Sequence, residues 1–161
     1  MRVITLVLAV LCGTGLFGCV LTSTELTPPA EQSTSNREAA LTTAMYWKSL
    51  REITMTQTKS DDMTVLADVI RKQADAIRKL PAEGVDAELV QHAEAVAACH
   101  EKLLTVVDQA AYSVAGLKAS PELRRQFMEA GRQTGEAQAR LKALRPKLSA
   151  RYMTDFPHLD K

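Results

Sequence analysis

The sequence predicts an all-α protein, an antiparallel four-helix bundle, and three observations carry that prediction. Leu, Ala, Val, Lys, Arg, Glu and Gln dominate the chain, the composition of helices. Two long stretches hold small or apolar residues at spacings alternating between three and four: Leu89, Ala93, Val96, His100, Leu103, Val107, Ala110, Val114, Leu117, and then Leu123, Phe127, Ala130, Thr134, Ala137, Leu141, Leu144, Leu148. The connections between amphipathic segments are short and marked by Pro, Gly or a capping residue, which makes neighbouring helices antiparallel. The joint between the first two segments admits a second arrangement, a single bent helix that would leave three long helices.

In chain order, Met1-Arg2 gives a short positive start, Val3 to Leu11 is an almost unbroken apolar run, and Gly13, Gly15 and Gly18 interrupt it. This is the layout of a secretory signal peptide. Read instead as a membrane span, Val3 to Leu21 is barely as long as the ~20 apolar residues required and carries three poor helix formers. Leu16-Phe17-Gly18-Cys19 resembles the lipobox of bacterial lipoproteins, with Leu three residues before the cysteine and Gly directly before it; Phe17 stands where that family usually has a small residue. The resemblance implies that residues 1–18 are removed and that Cys19 becomes a diacylglyceryl-modified, further acylated N-terminus. Several acyl chains anchor stably where one does not. An exported, membrane-anchored protein facing the periplasm or the cell exterior is therefore expected. In the Gram-negative lipoprotein families an Asp after the cysteine marks the inner membrane, so Val20 favours the outer one.

Residues 20–36 are rich in Thr, Ser and Pro without apolar periodicity, and are expected to form a flexible tether. Its reach would be roughly 20–25 Å as a random coil and about 50–55 Å when extended. Ser35 with Glu38 has the form of a capping box, opening a bundle expected over residues 37–150. The first helix should place Ala40, Thr43, Trp47, Leu50 and Ile53 near one face. Ser60, followed by Asp61-Asp62, reads as the next N-cap. The second helix carries a heptad seam of Met63, Leu66, Ile70, Gln73, Ile77 and Leu80, interrupted by Gln73. Pro81 and Gly84 end it, and Asp86 caps the third helix, with Val85 positioned to staple onto Val90. The third helix should run through Leu117. Ser120-Pro121 opens the fourth, Ser as cap and Pro at the first helical position. Residues 151–161 are left as a C-terminal tail, in which Tyr152, Phe156 and Leu159 either fold back onto the bundle or anchor a partner.

Charge supports pairing of the last two helices. The third begins with Glu83, Asp86, Glu88 and Glu94, the fourth ends with Arg140, Lys142, Arg145, Lys147 and Arg151, and antiparallel packing sets these ends together. In the middle of the fourth helix, Ala130, Gly131, Thr134 and Gly135 form a small-residue strip. Either another helix, in this chain or a second copy, approaches there, or the strip is a soft exposed face.

The 20 basic and 19 acidic residues leave no electrostatic footprint for nucleic acid, and with 4% aromatics a stacking platform is not expected. Cys12 belongs to the removed segment and Cys19 to the lipid, so Cys99 is left alone, to be buried, paired between chains or used as a ligand. His92 and Cys99 share a helix face with Glu88 nearby, and the seam turns His100 inward; these are the metal-ligand candidates, for zinc or copper. Paired ligand spacings are missing, and a seam histidine is commonly a core residue. Ala98-Cys99-His100 resembles the end of the c-type haem attachment motif, with Val96 where its first cysteine would stand. Adjacent Cys99 and His100 point about 100° apart, which is wrong for a thiolate–imidazole pair. No phosphate loop, nucleophile elbow or isolated carboxylate pair is present.

Leu80-Pro81 to Leu89-Val90 is similar to a stretch of uncharacterised helical proteins and implies no activity. The expected function is structural or protein-interacting, without catalysis or cofactor. Its expected contacts are the membrane through Cys19 and a protein partner or second copy through Gly131, Gly135, Tyr152 and Phe156. The alternative is a metal- or haem-binding bundle built on His100, Cys99 and His92.

Overall fold

The computed structural model describes residues 29–55 and 62–159, with side chains from Thr34 onward. The expected signal segment, Cys19, most of the expected tether, and the expected cap at Ser60-Asp61 lie outside the described residues. Among the described residues five helices follow one another: α1 (Pro29–Thr54), α2 (Met63–Arg78), α3 (Ala87–Gln109), α4 (Val114–Ala119) and α5 (Pro121–Tyr152). Among the described residues there is no strand.

α1 and α2 are separate helices, which decides against one bent segment. α1 begins earlier than expected. Ser35 and Glu38 lie inside it, so they form no capping box, and the boundary expected after residue 36 moves to Pro29, a residue whose fixed φ suits the first turn. Thr43, Trp47 and Leu50 are fully buried, whereas residues 34–38 are exposed, so that stretch of α1 stands outside the core. α2 is capped by Asp62, whose carboxylate accepts from the Thr64 amide at 2.8 Å. Its buried line is Ala67, Ile70, Ala74 and Ile77, with Leu66 and Gln73 only half-buried beside it. Gln73 is a bridge rather than an interruption: its side-chain amide donates to the Ile53 carbonyl at 3.2 Å, in the last turn of α1, where carbonyls lack helical partners.

α3 is the central helix, packed against α2 on one side and α5 on the other. Its cap is Asp86, which accepts from the amides of Glu88 (3.0 Å) and Leu89 (3.2 Å). The expected continuous run to Leu117 is corrected: α3 stops at Gln109, and Ala111 and Tyr112 both take left-handed backbone angles, with φ of 50° and 52°. Ser113 then caps α4, its hydroxyl accepting from the Gly116 amide at 2.9 Å. A Cβ at Gly116 would meet the Ala110 carbonyl oxygen at 2.2 Å, so this turn needs glycine. Val114, expected on the seam, is 48% exposed as a result, while Leu117 is buried. α5 is capped by Ser120 with Pro121 at its start, as expected, and buries Ala130, Ala137, Leu141, Leu144 and Leu148 on one stripe. It continues past Pro146, which lies on the exposed side, and extends two residues beyond the expected boundary at 150.

The largest apolar cluster takes residues from α1, α2, α3, α5 and the tail, among them Trp47, Ile77, Leu89, Val96, Leu141, Leu148 and Phe156. Two smaller clusters towards the other end join α2, α3, α4 and α5 without α1. Opposed charges bind the acidic start of α3 to the basic end of α5: Lys147 pairs with Glu88 at 3.1 Å, and Arg151 with Asp86 and with Glu88. Arg145, assigned to the same set by sequence, instead reaches the tail, pairing with Asp155 at 3.0 Å.

Candidate functional site

The polar residues of greatest consequence meet at one end of the bundle, around Asp86. Its backbone amide donates to the buried Thr43 hydroxyl of α1 at 3.0 Å. Its carboxylate accepts from two α3 amides through one oxygen, and from Arg151 and the Tyr152 phenol (3.0 Å) through the other. Asp86 thus ties Thr43 of α1 to Tyr152 at the end of α5. Burial pushes the Asp86 carboxyl up, but the bonds from Arg151, the Leu89 amide and Tyr152 outweigh it and hold the group below its ordinary value. Burial and the neighbouring carboxylate push the Tyr152 phenol up, against the opposing effect of Thr43. With four donors on two oxygens, this carboxylate has little capacity left to take a proton or a metal. It is a clasp. One residue along, the Thr42 hydroxyl donates to the Gly84 carbonyl at 2.7 Å, so consecutive threonines of α1 hold the α2–α3 connection.

The tail extends this arrangement. Met153 takes a left-handed conformation (φ 51°, ψ 37°) that ends α5 and turns the chain back. Phe156 is then buried against Trp47, and the Trp47 indole N–H donates to the Pro157 carbonyl at 2.7 Å. Arg51 donates to the His158 carbonyl at 2.8 Å, and Leu159 is buried. Of the expected partner anchors, Phe156 is 1% exposed and Tyr152 half-buried, so the core takes up the first ring and most of the second.

His100 is buried at 3% exposure, and its Nδ1 has no hydrogen-bond partner. Burial lowers its pKa, so the ring is neutral near pH 7. Cys99 and His92 are half-buried, Cys99 is a free thiol, and Glu88 is engaged by Lys147 and Arg151. Among the described residues no three His, Cys, Asp or Glu side chains converge as a metal site would require. Val96 is fully buried. Gly131 and Gly135 face open space, with nothing within 4 Å of an added Cβ, so no helix among the described residues approaches them; Met128 beside them is 68% exposed.

The sequence reading missed the outward face of α1. Leu41 and Met45, one turn apart, are each 63% exposed on the side opposite Trp47. An open groove of about 630 Å³, lined by Ala39, Met45, Tyr46, Leu80, Pro81 and Val85, runs along one flank. A second, of about 520 Å³, lies on the other flank beside Ala40, Leu41, Ala44 and Thr154. The i, i+4 spacing of Leu41 and Met45 is visible in the sequence, but the Thr43–Trp47–Leu50 stripe is the stronger signal.

Comparison with known proteins found no matching family model, no matching curated protein and no matching solved structure. Among the described residues no helix is long and apolar enough to cross a membrane.

Proposed function

We propose that this chain is a lipid-anchored protein of the cell envelope with a structural or protein-interaction role and no catalytic step. In this reading α1, α2, α3 and α5 form one antiparallel four-helix bundle, with α4 as a bracket between α3 and α5. Cys19 carries the acyl chains, the protein is exported, and the outer membrane is the favoured address.

The observation that supports it is the position of α1. It starts at Pro29, so only residues 20–28 separate the helix from Cys19, and they span at most about 30 Å. From Pro29 to the fully buried Thr43 the helix rises roughly 20 Å. The α1 end of the bundle is thus the one nearest the anchor, and it presents Leu41, Met45 and the two grooves. The strip of Gly131, Gly135 and Met128 on α5 offers a second surface for a protein partner. The near balance of charge gives nucleic acid nothing to hold.

The intact mass of the protein recovered from the membrane fraction tests this. A mass beginning at Cys19 plus acyl groups is expected, and Cys19→Ser should leave the chain unacylated. A mass that retains Met1 would sink the reading.

A further inference from the structure

We infer that the outward face of α1 is the docking surface for a second copy of this chain, with α1 packed against its counterpart in an antiparallel, two-fold arrangement.

Three observations carry this. First, Thr43, Trp47 and Leu50 point into the core, and at about 100° per residue Met45 falls opposite their mean direction, with Leu41 and Glu38 close to it. An apolar pair more than half exposed therefore sits near the centre of a helix face that the described residues leave open. Second, grooves of about 630 and 520 Å³ flank this ridge. A ridge between two grooves is the shape that a second such ridge can pack beside.

Third, the charges are self-complementary about one point. Glu38 lies three residues before Leu41, and Lys48 lies three residues after Met45. A two-fold axis passing beside Thr43 sets Leu41 against the other copy's Met45 and Glu38 against its Lys48. Symmetry then repeats both contacts. Glu38 and Lys48 are exposed, and neither has an ion-pair partner among the described residues. A parallel pairing would instead set Glu38 beside Glu38 and Lys48 beside Lys48. The pattern thus selects both the occupant and its direction, because a closed two-fold contact requires a patch to complement itself.

A single pair of helices buries a small interface, so a weak association that weakens further with salt is expected. This supplies the partner for the interaction reading and rests on that reading, but it does not depend on the lipid anchor.

The test is a zero-length carbodiimide crosslink on the full chain, as purified and in membranes, read by gel and peptide mass spectrometry. Within one chain the Glu38 and Lys48 backbones are roughly 15 Å apart along the helix, so a direct Glu38–Lys48 amide must join two copies. The expected result is a covalent dimer containing that link. Glu38→Lys or Lys48→Glu alone should weaken association measured by sedimentation at least about tenfold, and the two together should restore it. Helical content should not change, since both sites are on the surface. A chain monomeric at all concentrations, a dimer indifferent to these changes, or a double variant that does not recover would overturn the inference. The mass at Cys19 is a separate measurement, so failure of the anchor and failure of the dimer are distinguishable.

Discussion

Trp47 and Phe156 meet edge to face, ring centroids 5.8 Å apart and planes 79° from parallel, joining the first helix to the last few residues of the chain. Edge-to-face pairs add about 0.5–1.5 kcal/mol beyond the area they bury. Here the contact also seals one side of the largest apolar cluster, and the hydrogen bond from Trp47 to Pro157 fixes its register.

Phe156→Ala should therefore destabilise the fold by about 3–5 kcal/mol, a large part of what a domain of this size holds. Trp47 is the chain's single tryptophan and is fully buried, so its fluorescence reports the change directly. Red-shifted emission before any denaturant is added, with an earlier urea midpoint, is the expected outcome. Unchanged emission would mean that the tail does not cover the indole.

The clasp at Asp86 predicts acid sensitivity. Its carboxyl lies below its ordinary value in the folded protein, so the stability it contributes is present above the unfolded value of about 3.9 and is lost as pH falls through the folded value. Asp86→Asn should lower stability at pH 7 by about 2–3 kcal/mol and flatten the acid limb of a plot of stability against pH. Tyr152→Phe removes one donor and should cost about 1 kcal/mol with the acid limb largely kept. Equal slopes for wild type and Asp86→Asn would contradict the assignment.

His100 predicts sensitivity in a higher window. Its folded pKa is lowered by burial, so the unfolded chain takes up a proton first as pH falls below about 6.5, and stability declines from there down to the folded value. His100→Leu removes both this dependence and a buried nitrogen without a partner, and should match or exceed wild-type stability at pH 7 by about 1 kcal/mol. Thermal melts at pH 7.5 and 5.5 decide it. A bound metal or haem lost with the substitution would revive the ligand reading instead.

Two substitutions in the α3–α4 turn should act in opposite directions. Ala111 is exposed with φ of 50°, a conformation that costs a residue with a Cβ about 1 kcal/mol, so Ala111→Gly should stabilise by roughly that amount. Gly116→Ala would drive a methyl into the Ala110 carbonyl and should destabilise by about 2 kcal/mol or more. Chemical denaturation of the pair, compared with wild type, checks both signs.

What the sequence revealed depended on how many constraints agreed. α3 and α5 were legible because a regular apolar period, capping residues at Asp86 and Ser120, and opposite end charges all pointed to the same packing. The break after Gln109 was hidden because Ala110, Val114 and Leu117 keep a helical spacing across a turn. The signal that could have exposed it was Ser113 followed three residues on by Gly116. In α2, hydrophobicity favoured Leu66, but the buried line runs through Ala67 and Ala74, whose small side chains carry little hydrophobic signal in the sequence. The Ser- and Thr-rich start of α1 reads as coil, since local propensity cannot register a helix held from its far end by Trp47 and Leu50. The clasp and the tail contact were unreadable as such, because each joins residues distant in sequence whose types are individually ordinary.

The returning tail also orders events in time. α1 is made before Phe156 and Leu159, so until those residues are added the indole of Trp47 has no ring to rest against and the principal cluster stays open. The chain cannot close its core early. The core of the nascent chain closes only once Phe156 has been made and has reached Trp47.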